Sequence, residues 1–409
     1  MKTGDMLHRS NLTLDKTMPV GNFIFRPVSL GSFFHAMVLL AWMCCLPDSQ
    51  GEVQAQLPMP ASSLDVETAS GIDQGVNLEM KKQNLVGAAV GVIDDGKIVY
   101  LKGYGFSNRS SQKPFSIQTI ANWASNSKPV VALLTMRMVE KRILRLEDRL
   151  RKFLPELPPQ LDAVTIRHLL CHQSGFPHYS NGKILPLHPP IRLHYGKNDP
   201  VFSINRFGGS PLIKDPGEAY SYSSYAYVLL SATVQRAAKE PLWKLIQREF
   251  TNPLQMTSFR MDTQTTDQEN WATGYTRTAE KNVAIAPEYS NAWKHGAGGY
   301  KSNIQDFAKW TLAIMQSNLI TKKSRQLMWT PQPTRSGKPT RMGLGVFVTR
   351  VNGILQVSHN GSQTEARSQM VFYPTQKKGV VVLTNCSYTN PNKIATTVLE
   401  TLSKRSAGK

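Results

Sequence analysis

The chain has 409 residues, 48 Lys plus Arg against 28 Asp plus Glu, a net charge of +20 and 41% apolar residues. This balance excludes a polytopic membrane protein and a collagen-like or fully disordered chain. The length suffices to bury a large core without disulfides or metals.

Residues 1–51 carry four basic and three acidic side chains, so nearly all the net charge belongs to the remainder. Within them, Phe33 to Leu46 is a run of 14 mostly apolar residues. A spanning helix needs about 20. The run fits the apolar region of a signal peptide, with Ser49 and Gly51 as candidate cleavage residues and an uncleaved anchor as the alternative. The expected location is secreted or periplasmic. Trp42-Met43 before Cys44 does not suit a lipidation site, and Cys171 and Cys386 further on read as small buried apolar residues. The charge suggests anionic company, such as cell-wall polymers or lipid headgroups. Nothing resembles a nucleic-acid-binding pattern, and no specific protein partner is expected.

Residues 52–75 read as a linker, and 76–405 as one domain. The run Val86–Ile93, the turn Asp94-Asp95-Gly96 and the run Ile98–Leu101 form a hairpin pattern. A helical pattern lies within Thr119–Leu144, with a broad apolar arc from Val131 to Ile143 and Arg137, Glu140 and Lys141 on its polar side. Pro129 must sit in the first turn, so this helix starts no earlier than about Ser125. His178–Pro216 is an irregular excursion, a candidate lid, and Tyr225–Phe250 is helical. Arg341–Asn385 reads as strands with an Asn352-Gly353 turn, and Asn392–Ser403 closes the chain as a helix. The expected fold is α+β: an antiparallel sheet built from both chain ends, flanking helices and a central helical lobe, with the site in the cleft between.

Three motifs could carry chemistry. Ser125 and Lys128 stand three apart on one helical turn, where an amine of lowered pKa can take the serine proton. The same spacing at Ser110/Lys113 and Ser180/Lys183 shows how weak it is alone; the competing reading is an N-cap serine and a solvated lysine. Tyr222, after the turn Asp215-Pro216-Gly217-Glu218, is either a phenolic acid/base or a core aromatic. Ser358-His359-Asn360-Gly361-Ser362 ends a strand pattern; Gly361 would admit a substrate backbone, or the segment is a plain turn. His168 and His172 have a zinc-like spacing but lack a third ligand and read as structural. No metal and no cofactor are expected.

The order Ser-x-x-Lys, Tyr-x-Ser, His-x-Gly resembles the serine β-lactamase/penicillin-binding protein superfamily, in particular its class C-like group. Leu85–Gly105 is similar to that family's opening hairpin. Thr165–Gly175 resembles its LLxHxSG signature, Gly296–Ser302 its Gly-Gly-x-x-Ser segment and Val381–Asn385 its closing strand. Asp215–Leu230 and Ser290–Trp310 look closest to the mitochondrial serine β-lactamase-like proteins and their bacterial relatives. The likeness implies a β-lactamase/transpeptidase-like fold and a serine hydrolase working through an acyl-enzyme. Ser125 would be the nucleophile, Lys128 and Tyr222 the proton carriers, and the backbone N–H groups of Ser125 and Ser362 the oxyanion hole.

Two departures stand out: Ser224 occupies the usual Asn position and His359 the usual Lys. The substrate would be a small molecule or peptide. A D-amino-acid peptide or other amide comes first, an ester or β-lactam on the same site second, and a catalytically weak envelope binding protein third. If the His359 imidazolium bound a substrate carboxylate, KM would rise as pH passes its ordinary pKa of ~6.5.

Overall fold

The computed structural model describes residues 63–192, 199–262, 269–316 and 319–407; the expected signal segment lies outside them. Among the described residues, no helix is long and apolar enough to cross a membrane.

Helix α1, Val66–Gln83, begins where Asp65 accepts the Thr68 N–H and ends at Asn84, which takes the left-handed conformation. Its first ten residues fall within the stretch expected as a linker, 52–75. Its apolar stripe is narrow, with buried Ile72, Val76 and Met80 at steps of four on an otherwise polar helix.

The main sheet has strands β1 Gly87–Asp94, β2 Lys97–Asn108, β3 Lys113–Pro114, β4 Phe347–Val351, β5 Ile354–Ser362, β6 Arg367–Tyr373 and β7 Lys378–Thr384. Its order is β3-β2-β1-β7-β6-β5-β4, antiparallel throughout. The two chain ends meet where β1 pairs with β7, Val90 opposite Val382. The expected turns are present: Asp95-Gly96 and Asn352-Gly353 each have positive φ at both residues, the backbone that a tight hairpin requires.

Both faces of the sheet's centre are covered, so β1 is buried almost end to end. On the outer face α1 packs with the last helix, Pro391–Ala407, through Ile72, Val76, Ile394 and Val398. The two helices cross closely: a Cβ at Gly75 would lie 2.5 Å from Thr397 Cγ2. The inner face carries Ile304–Gln316 and the helical lobe.

In the lobe, α2 runs Lys128–Glu140 with Pro129 in its first turn, as expected, and ends early because Arg142 is left-handed. Helix α3, Ser224–Ala238, stops at left-handed Lys239. The expected single helix to Phe250 is therefore broken before Pro241 and restarts as Leu242–Ile246. Cys171 and Cys386 are free and buried, and burial pushes the Cys171 thiol up to about 12.

Candidate active site

The turn before α2 is braced on all sides. Trp123 is fully buried, and its Nε1 donates to Ser302 Oγ at 2.8 Å. Ala124 has φ 49°, uncommon for a residue with a side chain, and its N–H donates to Asn122 Oδ1 at 2.6 Å. Asn126 Nδ2 donates to Ser368 Oγ at 2.8 Å, and that hydroxyl donates to the Trp123 carbonyl at 2.6 Å, tying the turn to β6. From Ala124 to Lys128, only Ser125 is not buried. As the second residue of a helical turn, Ser125 has a backbone N–H without a partner inside that turn.

Lys128 is fully buried. Its Nζ is within hydrogen-bond distance of Ser125 Oγ (3.0 Å), Ser224 Oγ (3.1 Å) and the Ala297 carbonyl (2.5 Å). All three oxygens are neutral. Burial, and then the repulsion of Lys294, hold its pKa well below that of an ordinary lysine. A neutral amine can receive the Ser125 proton; an ammonium cannot.

Tyr222 joins this pair, with Lys128 Nζ 4.9 Å from its ring centre. Burial raises its pKa, and hydrogen bonding with Ser125 and Ser224 pulls the other way. The phenol therefore keeps its proton at neutral pH and can pass it on. Two histidines hold its segment. His172 Nδ1 accepts the Ser223 N–H and His178 Nδ1 accepts the Ser224 N–H, both at 3.2 Å. His172 also stacks on Tyr222, ring centres 4.3 Å apart. His168 serves elsewhere, closing a capping box with Thr165. Ser224, where an amide was expected, hydrogen-bonds Lys128 instead.

The third motif departs from expectation. His359 is 1% exposed, its Nδ1 lies 2.8 Å from the Asn360 carbonyl, and burial lowers its pKa to about 3. It is neutral across the physiological range, so the imidazolium–carboxylate contact is not available. Strand alternation explains this: Asn360 and Ser362 face the cleft, while His359 and Gly361 face inward. Gly361 makes room for protein rather than substrate. A Cβ there would lie 2.3 Å from the Trp123 carbonyl and 2.2 Å from Ser368 Oγ.

The cleft measures ≈ 1180 Å³ and brings together Ser125, Tyr222, Ser224 and Ser362. It also holds residues not singled out in the sequence: His178, Lys294, Gln363 and Arg367. Lys294 stands two residues before the Gly296–Gly299 tract, and a cation beside so glycine-rich a segment was the available signal. Tyr179, Tyr225, Tyr289, Trp293 and Phe347 supply an aromatic wall.

The sequence model of the family described as Beta-lactamase matches residues 72–403. Penicillin-binding protein 4* of Bacillus subtilis (strain 168) is 26% identical over 304 residues, covering 71% of this chain. That match spans 66% of the relative, just under two thirds of its length. Among solved structures, the octameric penicillin-binding protein homologue from Pyrococcus abyssi has a TM-score of 0.69 at 25% identity, covering 82% of this chain and 77% of that one. The D-amino acid amidase from Ochrobactrum anthropi SV3 also has a TM-score of 0.69, at 19% identity, covering 83% of this chain and 99% of the amidase. At that identity the likeness concerns the fold alone. A family match over most of the chain, on this fold and with these motifs gathered in one cleft, means that the chain belongs to the Beta-lactamase family within the serine β-lactamase/penicillin-binding protein superfamily.

Proposed function

We propose that the protein is a serine hydrolase that cleaves amides, D-amino-acid peptides first among them, through an acyl-enzyme on Ser125. The observation that carries this reading is Lys128, buried with no carboxylate partner among the described residues and hydrogen-bonded to Ser125 Oγ at 3.0 Å. Neutral Lys128 takes the Ser125 proton as Oγ attacks the carbonyl carbon. The backbone N–H groups of Ser125 and Ser362 stabilise the oxyanion. Tyr222 hands a proton to the departing nitrogen and is reprotonated from Lys128, so the C–N bond breaks and an ester to Ser125 remains. Water, deprotonated by the same pair, releases the acid and restores the hydroxyl. The named relative of Bacillus subtilis supports the use of penicillin as a probe of this chemistry.

The test is covalent labelling with a fluorophosphonate and with a labelled penicillin, followed by mass mapping. An adduct on Ser125 with either probe, lost in Ser125→Ala, is expected. Folded protein that takes neither label would overturn the reading in favour of a binding protein. Release rates from D-alanyl-D-alanine peptides against p-nitrophenyl esters then separate peptidase from esterase.

A further inference from the structure

With His359 neutral and inward-facing, the cleft takes its positive charge from elsewhere. Lys294 lies in the short helical segment Ala292–Ala297 and is only 7% exposed, yet it forms part of the cleft wall. Its Nζ donates to Gln363 Oε1 at 2.8 Å, and Gln363 is itself anchored by donating to the Gly298 carbonyl at 3.0 Å. One hydrogen bond uses one of an ammonium's three donors. Three rings surround the charge: Tyr179 at 5.4 Å, and Tyr289 and Trp293 at 5.8 Å. Aromatic faces hold a cation without neutralising it.

Two carboxylates approach Lys294, and both are engaged by other groups. Asp262 pairs with Lys301 at 2.8 Å. Glu365 accepts from Asn122 and Asn291 at 3.1 Å each and from Thr364 at 2.7 Å. No carboxylate stands within ion-pair distance of Lys294 among the described residues. A nearly dry, caged cation with donors to spare, in the cleft that holds Ser125, is a receptor for an anion.

We infer that Lys294 is a specificity-determining residue that binds a free carboxylate on the substrate, so that the preferred substrates are acyl compounds bearing a carboxylate beside an aromatic or apolar group. This rests on the proposed hydrolase reading for its meaning but not for its test. Arg367 is the other cation in the cleft; its Nη1 donates to the carbonyls of Gln363 and Ala366, in the turn between β5 and β6, which engages part of its guanidinium. The other titratable neighbours are Lys128 and His178, both shifted towards the neutral form, and Tyr179, whose pKa is raised to about 12. Burial lowers Lys294 itself to about 8, partly offset by Glu365 and Asp262.

The experiment is calorimetric binding to the full-length Ser125→Ala protein, which consumes neither ligand. The probes are N-acetylphenylalanine and its carboxamide, in both enantiomers. At pH 7 the acid of at least one enantiomer is expected to bind tenfold or more tightly than its amide. The preference should vanish in Lys294→Gln, persist in Lys294→Arg and Arg367→Gln, and fade in the Lys294 protein as pH rises from 7 to 9.5. Equal binding of acid and amide, a preference that survives Lys294→Gln, or one lost instead in Arg367→Gln would each overturn the assignment. Should the protein fold poorly as Lys294→Gln, the pH series and Lys294→Arg decide the matter. Failure of the hydrolase reading would show separately, as the absence of label on Ser125.

Discussion

Helix α2 carries cations at both ends, and the two ends treat them in opposite ways. At its last turn, Arg137 and Lys141 converge with Arg248 on the carboxylate of Glu249, whose side chain is 3% exposed. At its first turn, Lys128 is fully buried, unlike those cations, and among the described residues meets only neutral oxygens. The helix dipole sharpens the contrast, favouring positive charge at the C-terminal end and opposing it at the N-terminal end. A compensated charge is held in place. Lys128, uncompensated and fully desolvated, gives up its proton and so becomes a base. The same helix therefore separates a structural electrostatic cluster from a reactive one.

The contrast can be broken most severely at Lys128. Lys128→Met keeps the volume and removes the amine; single-turnover acylation should fall by about 10⁴-fold while the folded circular dichroism spectrum is retained. Retention of more than a tenth of the rate would show that the uncompensated amine is not the base. Tyr222→Phe should cost about 10²–10³-fold in kcat with little change in KM, as expected for a proton carrier.

At the other end, Glu249→Gln should leave kcat intact and lower stability by about 2–3 kcal/mol in denaturant melts. This lies below the usual cost for a buried pair because the three cations are partly exposed and can turn to water. The pH dependence has a definite sign. The cations lower the Glu249 carboxyl to about 2 in the folded chain, against 4.5 when unpaired. The cluster's contribution is thus full above about pH 4.5 and is lost as pH falls towards 2; Glu249→Gln should abolish that part of the acid sensitivity. Gly361→Ala, which forces a methyl against the Trp123 carbonyl, should destabilise by about 1–3 kcal/mol. Smallest of all is the expected effect of His359 on the pH profile. With a pKa near 3 it adds no limb between pH 5 and 8, so His359→Gln should leave the acid limb of kcat/KM unmoved.

What the sequence could disclose followed the range of the interactions involved. Asp95-Gly96, Asn352-Gly353 and Pro129 are local signals, and the elements they punctuate stand where they were expected. The order of the three motifs was enough to place the family. The charge of His359 was not readable, because it depends on which face of β5 is inward, a matter of tertiary register. The Lys294 cage takes Tyr289 and Trp293 from its own stretch of chain but needs Tyr179 from a distant one, and no local pattern announces that meeting. Helix α1 was hidden because three apolar residues at steps of four are a faint pattern until α1 meets its partner helix.

One consequence follows from the pairing of β1 with β7. During synthesis the first hairpin must wait for nearly three hundred further residues before its central neighbour emerges from the ribosome. Until then β1 presents an open, largely apolar edge, and the turn carrying Ser125 lacks the strands that brace it. Pairing across so long a loop is slow. A nascent chain stalled before residue 378 should therefore be a client for chaperones and devoid of the assembled crevice, however complete its helices are.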